Sequence, residues 1–142
     1  LGWFGLRIGC ICVERGKRTQ AIKSMVAAVN SGNSPAGQLI IYPQGTRIAP
    51  GASAPYKIGT AVLYQETGQT CIPAATNVGV FWPKYGILRQ PGLAVIEFLP
   101  AIQPGLSNEL FMHRLEEVIE QSSNALLEEA ATDGFYPVGQ DT

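Results

Sequence analysis

A chain of 142 residues with 46% hydrophobic and only 15% charged side chains can bury one core, and that composition argues against a chain that is disordered as a whole. No apolar run reaches the ~18–20 uncharged residues that a spanning helix needs, because the best candidate, residues 1–13, is interrupted by Arg7. Net charge is −1, yet residues 1–90 hold nine basic side chains against two acids, an excess of +7, whereas residues 91–142 hold Arg114 against nine acids, an excess of −8. Two readings follow: the first part meets an anion, phosphate or an anionic membrane surface, or the two halves neutralise one another. The chain opens on Leu1, and residues 1–6 lack the charged start and cleavage site of a signal peptide, so we expect a piece whose beginning lies upstream. Cys10, Cys12 and Cys71 form neither a redox pair nor a zinc framework, which fits a reducing compartment.

In chain order, residues 9–14 predict a short strand that puts Cys10 and Cys12 on one face as small buried hydrophobes. A helix follows, with Thr19 as N-cap, Ile22, Met25, Val26 and Val29 on one face, and Gly32 at its end. Residues 38–42 predict a buried strand, which Pro43 ends because it has no N–H to donate. A loop rich in Gly, Pro, Ala and Ser runs over residues 44–55. Beyond it come a helix over 58–66, a strand over 71–76 and a strand over 93–99. The last helix starts at Ser107, with Leu106 and Phe111 as its hydrophobic staple, and runs to about residue 131. Its stripe is Phe111, Leu115, Val118, Ile119 and Leu126, with Glu116, Glu117, Glu120 and Glu128 on a solvated face. The class is α/β, a mixed, largely parallel sheet flanked by helices. We expect one domain over residues 1–132 and a loose tail over 133–142.

For proton chemistry near neutral pH the chain offers one histidine, His113, and its place within the acidic last helix predicts a surface side chain. A Ser-His-Asp triad would have to recruit Asp133 or Asp141 from the tail, and is not favoured. Anion binding has stronger signals. In Tyr42-Pro43-Gln44-Gly45-Thr46-Arg47 a glycine turn lets backbone N–H groups approach a ligand, Thr46 adds a hydroxyl, and Arg47 adds a planar fork for two oxygens. Ten residues on, Tyr56-Lys57-Ile58-Gly59 puts Lys57 at the start of a helix, where N–H groups also favour an anion. The two stretches are placed to share one ligand. Composition alone leaves open a structural turn with a solvent-exposed arginine.

Taken as a series, these stretches resemble the glycerophosphate and lysophosphatidate acyltransferases. Tyr42-Pro43-Gln44-Gly45-Thr46-Arg47 is similar to their F-P-E-G-T-R signature and Tyr56-Lys57-Ile58-Gly59 to their F-K-x-G. Ile72-Pro73-Ala74 resembles the later V-P-V block, and residues 9–15 the earlier block ending in Arg. The resemblance implies a glycerolipid acyltransferase-like fold, incomplete at its N-terminus. It implies transfer of a fatty acyl group from coenzyme A or acyl carrier protein to lysophosphatidate, making phosphatidate with no further cofactor. Arg15 and Arg47 would contact the acceptor phosphate, with Lys57 beside them, Gly45 and Thr46 shaping the loop, Gln44 and Gly59 supporting it, and Ile72 and Pro73 forming the wall behind. It also implies peripheral attachment at the cytoplasmic face of the inner or plasma membrane. For that contact Trp3, Phe4 and Leu6, near Arg7, are candidates; their other reading is core.

Two departures from the pattern stand out. Gln44 replaces the family's acid and carries no charge. The catalytic H-x-x-x-x-D is absent, since five residues beyond His113 stands Val118, so we assign no catalytic residue and no metal ligand. In the family that motif precedes the blocks seen here, and we expect it upstream of Leu1. Without a general base, worth about 10²–10⁴-fold in rate, the 142 residues alone would be catalytically feeble. The alternative is a noncatalytic phosphate- or phospholipid-binding module. A nucleotide-binding domain ranks lower, for neither G-x-x-x-x-G-K-[ST] nor G-x-G-x-x-G occurs, and the scattered basic residues give no nucleic-acid motif.

Overall fold

The computed structural model describes residues 22–24, 26, 27, 39–84 and 89–137. Residues 22–24, 26 and 27 are helical, and Ile22 reaches the start of the next helix, with its Cδ1 3.4 Å from where a Cβ on Gly59 would stand. That next helix, α1, is Gly59–Thr67. It ends on Gly68, whose φ of 58° lets its N–H turn back to the Tyr64 carbonyl at 3.1 Å. Strand β1 (Ala74–Thr76), a short helix α2 (Val78–Phe81), strand β2 (Ile96–Phe98) and the long helix α3 (Asn108–Thr132) follow.

The α/β class holds, and the pairing among the described residues is antiparallel: Ala74 lies opposite Phe98, Ala75 opposite Glu97 and Thr76 opposite Ile96. Just outside the ribbon, Cys71 and Ile102 exchange two backbone hydrogen bonds of 2.9 and 2.8 Å. Of the further strands expected, residues 9–14 lie outside the described residues, as do Cys10 and Cys12. Residues 39–42 carry no ladder to a described strand, and Ile40 and Tyr42 are largely exposed, which corrects the expectation of a buried strand there. An apolar run states that a segment wants burial and leaves unstated what it pairs with.

Helix α3 forms as its sequence requires. Oγ of Ser107 accepts from the Leu110 N–H at 3.2 Å, satisfying one of the orphan donors of the first turn, and Glu109 adds a carboxylate at the positive end. Its buried residues, Phe111, Leu115, Leu126 and Ala130, recur at helical spacing. One core cluster joins Phe111 and Leu115 to Ala61 and Tyr64 of α1 and to Ile102, with Leu106 packed beside them. The rings of Tyr64 and Phe111 stack at 3.9 Å, and the Tyr64 hydroxyl donates to the Gln103 carbonyl at 2.6 Å. A second cluster sets Val80 and Phe81 of α2 against Ala130. Phe135, expected in a loose tail, packs into that cluster, meets Phe81 edge to face at 5.4 Å, and donates its N–H to the Ala130 carbonyl. An aromatic side chain just beyond Thr132 thus covers the apolar surface of Phe81 and Ala130.

Asn77, at the start of α2, ties that helix to the approach of β2. Its Oδ1 accepts from the Val95 N–H at 2.8 Å, its Nδ2 donates to the Leu93 carbonyl at 3.4 Å, and it is 4% exposed. Thr76 Oγ1 donates to the Val95 carbonyl at 2.8 Å and accepts from the Val78 N–H at 3.1 Å, holding the first turn of α2.

Candidate functional site

The signature stretch is a folded loop built by its own turn residues. Pro43 presets its backbone for the turn, and the Gly45 N–H donates to the Tyr42 carbonyl at 2.9 Å. Gly45 itself has a φ of 71°, where a side chain would be strained, which is why glycine stands there. A second turn at Pro50-Gly51, with Gly51 at φ 77° and the Ala52 N–H on the Ala49 carbonyl at 3.0 Å, brings the chain around. Pro50 then lies on α2, where a Cβ on Gly79 would come within 2.9 Å of the proline Cγ.

The loop also folds onto the start of α1. The Lys57 N–H donates to the Pro43 carbonyl at 2.7 Å, and the Lys57 stem lies along the turn, with its Cγ 3.5 Å and its Cε 4.0 Å from the Cβ position of Gly45. Gly45 and Lys57, twelve residues apart, are thus neighbours. Tyr56, next to Lys57, turns the other way. Its hydroxyl donates to Oε1 of Glu120 on α3 at 2.9 Å, and its ring packs against the core. Burial, that carboxylate and nearby Glu116 push the phenol well above the ordinary tyrosine range. Burial likewise raises the Cys71 thiol, whose side chain is unpaired with any other cysteine.

Arg47 is exposed, and its Nη2 donates to the Lys84 carbonyl at 2.9 Å, which holds the guanidinium at the α2 side of the loop. Thr46 and Lys57 are exposed as well, and Gln44 is half-buried. Among the described residues no carboxylate pairs with Arg47 or Lys57. Arg15, the third expected cation, lies outside the described residues, as do Trp3, Phe4 and Leu6. Pro73 is fully buried and its carbonyl accepts from the Leu99 N–H at 2.9 Å, whereas Ile72 beside it is exposed. Among the described residues, an open groove of about 520 Å³ runs beside the end of the loop, between Pro55, Tyr56 and Ile58 on one side and Met112 on the other, and another of about 450 Å³ lies away from it between Ile96 and Leu126.

His113 is a surface residue of α3, its Nδ1 4.0 Å from the Glu117 carboxylate with both side chains mostly exposed. Glu120, read from the sequence as part of a solvated face, instead receives the Tyr56 hydroxyl. Trp82 and Arg89 were also not singled out by the sequence, yet the Arg89 guanidinium stacks 4.1 Å from the centre of the Trp82 ring. The only signal for that pair was an aromatic and basic residues in a short stretch beyond the signature.

Residues 1–77, which contain the Gly45 turn, Lys57 and Pro73, match the model of a protein family described as acyltransferase. The chain belongs to the acyltransferase family. It is similar to a 1-acyl-sn-glycerol-3-phosphate acyltransferase of Pseudomonas aeruginosa, 28% identical over 101 residues that cover 71% of this chain and 39% of that protein. A second protein of that name, from Saccharomyces cerevisiae, is 24% identical over 146 residues, covering 100% of this chain and 47% of the relative. This acyltransferase chain spans less than half the length of either relative. No solved structure matches it significantly.

Proposed function

We propose that this acyltransferase chain supplies the acceptor-gripping part of an enzyme that acylates lysophosphatidate. In that reaction the free hydroxyl of lysophosphatidate attacks the carbonyl of a fatty acyl thioester on coenzyme A or acyl carrier protein. The C–S bond breaks, an ester C–O bond forms, the thiol departs with the hydroxyl proton, and phosphatidate results. The chain's own contribution is binding and orientation. The Gly45 turn would offer N–H groups and the Thr46 hydroxyl to phosphate oxygens, and Arg47 and Lys57, with Arg15, would supply the positive charge.

One observation supports this most: the Lys57 N–H on the Pro43 carbonyl at 2.7 Å, which folds the amine-bearing stem onto the turn from which Thr46 and Arg47 project. The expected ligand is a phosphomonoester with a lipid tail, and the reading places the reaction peripherally at the cytoplasmic face of a membrane, where lipid acceptor and soluble thioester meet. Among the described residues no helix is long and apolar enough to cross a membrane. The test is calorimetric titration of short-chain lysophosphatidate, kept monomeric, into the chain and into Arg47→Ala. A charge-assisted hydrogen bond is worth about 1.5–3 kcal/mol, so Arg47→Ala should bind about ten- to a hundredfold more weakly. Equal affinity in the two, or no binding by either, overturns the reading.

A further inference from the structure

Helix α2 ends by sending two neighbouring aromatic side chains in opposite directions. Phe81 is 6% exposed and packs on Ala130 and Phe135, whereas Trp82 is 53% exposed. Gly92 closes over the inner ring so tightly that a Cβ there would come within 2.0 Å of Phe81 Cε1, which fixes Phe81 in place. Over the outward indole lies the Arg89 guanidinium at 4.1 Å, a cation–π pair that keeps a weakly hydrated charge flat against an apolar ring. Two residues after Trp82 stands exposed Lys84, whose carbonyl receives Arg47 at 2.9 Å, and Pro50 presses on Gly79 of the same helix. Trp82, Lys84 and Arg89 are therefore continuous with the phosphate turn.

We propose that Trp82, Lys84 and Arg89 form the surface by which this chain rests on an anionic phospholipid bilayer. An exposed indole is at its most favourable in the headgroup layer, and cations beside it complement lipid phosphates. The contact with Arg47 orients the surface: a bilayer meeting Trp82 presents its headgroups to the turn that grips the acceptor. This rests on the acyl-acceptor reading for its purpose, but the membrane contact stands or falls separately.

The test uses the chain in a Trp3→Phe background, which leaves Trp82 as the one reporter indole. On phosphatidylcholine vesicles containing phosphatidylglycerol, Trp82 emission shifts to the blue and is quenched by bromine-labelled acyl chains; on phosphatidylcholine alone neither occurs. Arg89→Gln weakens partitioning about fivefold, as expected for one cation at an anionic surface, and added salt weakens it further. Trp82→Ala, made with Trp3 intact and followed by vesicle co-sedimentation, also reduces partitioning, while its urea midpoint shows that it folds. Partitioning equal in all variants, or unshifted Trp82 emission on vesicles that do bind the chain, overturns the proposal. So does loss of binding to an acidic carrier protein in these variants with vesicle partitioning unchanged, since the surface would then serve a protein. Trp82→Ala and Arg89→Gln keep their affinity for monomeric lysophosphatidate, whereas Arg47→Ala loses it, so failure of the acceptor reading and failure of the membrane surface give different results.

Discussion

Two regions of this molecule are held by different physics. The part built around α3 is a packed core: Phe111 is fully buried on Tyr64, Leu115 and Ala61 close the same cluster, and Phe81 and Ala130 make another. The signature loop over residues 42–57 is held by backbone hydrogen bonds and turn residues, and Thr46, Arg47 and Lys57 are left exposed. The difference teaches where side chains are free to act. In the core a side chain is occupied by its neighbours; in the loop the backbone fixes the shape and leaves the Thr46, Arg47 and Lys57 side chains exposed to solvent, where a ligand can reach them. Substitutions should therefore affect stability on one side and binding on the other.

The largest break falls in the core. Phe111→Ala removes a fully buried ring and its stacking on Tyr64, and should cost about 3–5 kcal/mol, read as a lowered urea midpoint. Arg47→Ala, in contrast, should leave that midpoint within about 0.5 kcal/mol, because its side chain is exposed and gives up one hydrogen bond at the surface. If both substitutions lowered stability alike, the separation of the two regions would be wrong.

Asn77 comes next, where α2 is tied to the approach of β2. Asn77→Ala strips the Val95 N–H and the Leu93 carbonyl of their partner at a buried position, and should cost about 1–3 kcal/mol. Hydrogen exchange should locate the loss at residues 93–95, with the signature loop unchanged.

Tyr56 is where the regions meet, since its hydroxyl on Glu120 bridges 64 positions of sequence. The family pattern that this stretch resembles has phenylalanine there, so Tyr56→Phe tests the bridge with the ring kept. Losing the bond should cost about 0.5–1.5 kcal/mol. It should also alter the alkaline limb of stability. The folded state holds the phenol proton more tightly than the unfolded chain, so the contribution is complete below the ordinary tyrosine value of about 10 and is lost as pH rises above it. Urea midpoints measured from neutral pH to beyond that value should fall less steeply in Tyr56→Phe. Parallel curves would mean that Tyr56 does not titrate as the geometry requires.

How much of this was legible beforehand follows the range of the interactions. Ser107 as cap, the stripe through Phe111, Leu115 and Leu126, and the glycine turn at Gly45 rest on residues within a few positions of one another, and the chain reports them directly. So does α1, expected over 58–66 and found at Gly59–Thr67. Helix α2 went unread because four residues, Val78–Phe81, carry too little periodicity, and its hold on Thr76 is a side-chain hydrogen bond. The Tyr56–Glu120 and Arg47–Lys84 contacts join residues 64 and 37 apart, and no local pattern encodes which distant partner a polar side chain will meet. The same reason explains residues 39–42, whose apolar run told of burial without naming a neighbour.

The smallest effect is expected at His113, which lies on the solvent side of α3, away from the packed core. Its side chain is 77% exposed on α3, and Glu117 sits a turn away at 4.0 Å, the geometry of a surface pair worth a few tenths of a kcal/mol at most. A general base must reach the hydroxyl that it deprotonates, within hydrogen-bond distance or through one water, and this imidazole faces solvent on the acidic helix. His113→Gln should therefore change neither the urea midpoint by more than about 0.5 kcal/mol nor the affinity for lysophosphatidate. A change in affinity would bring α3 into the acceptor site, and the division between packed core and binding loop would have to be redrawn around it.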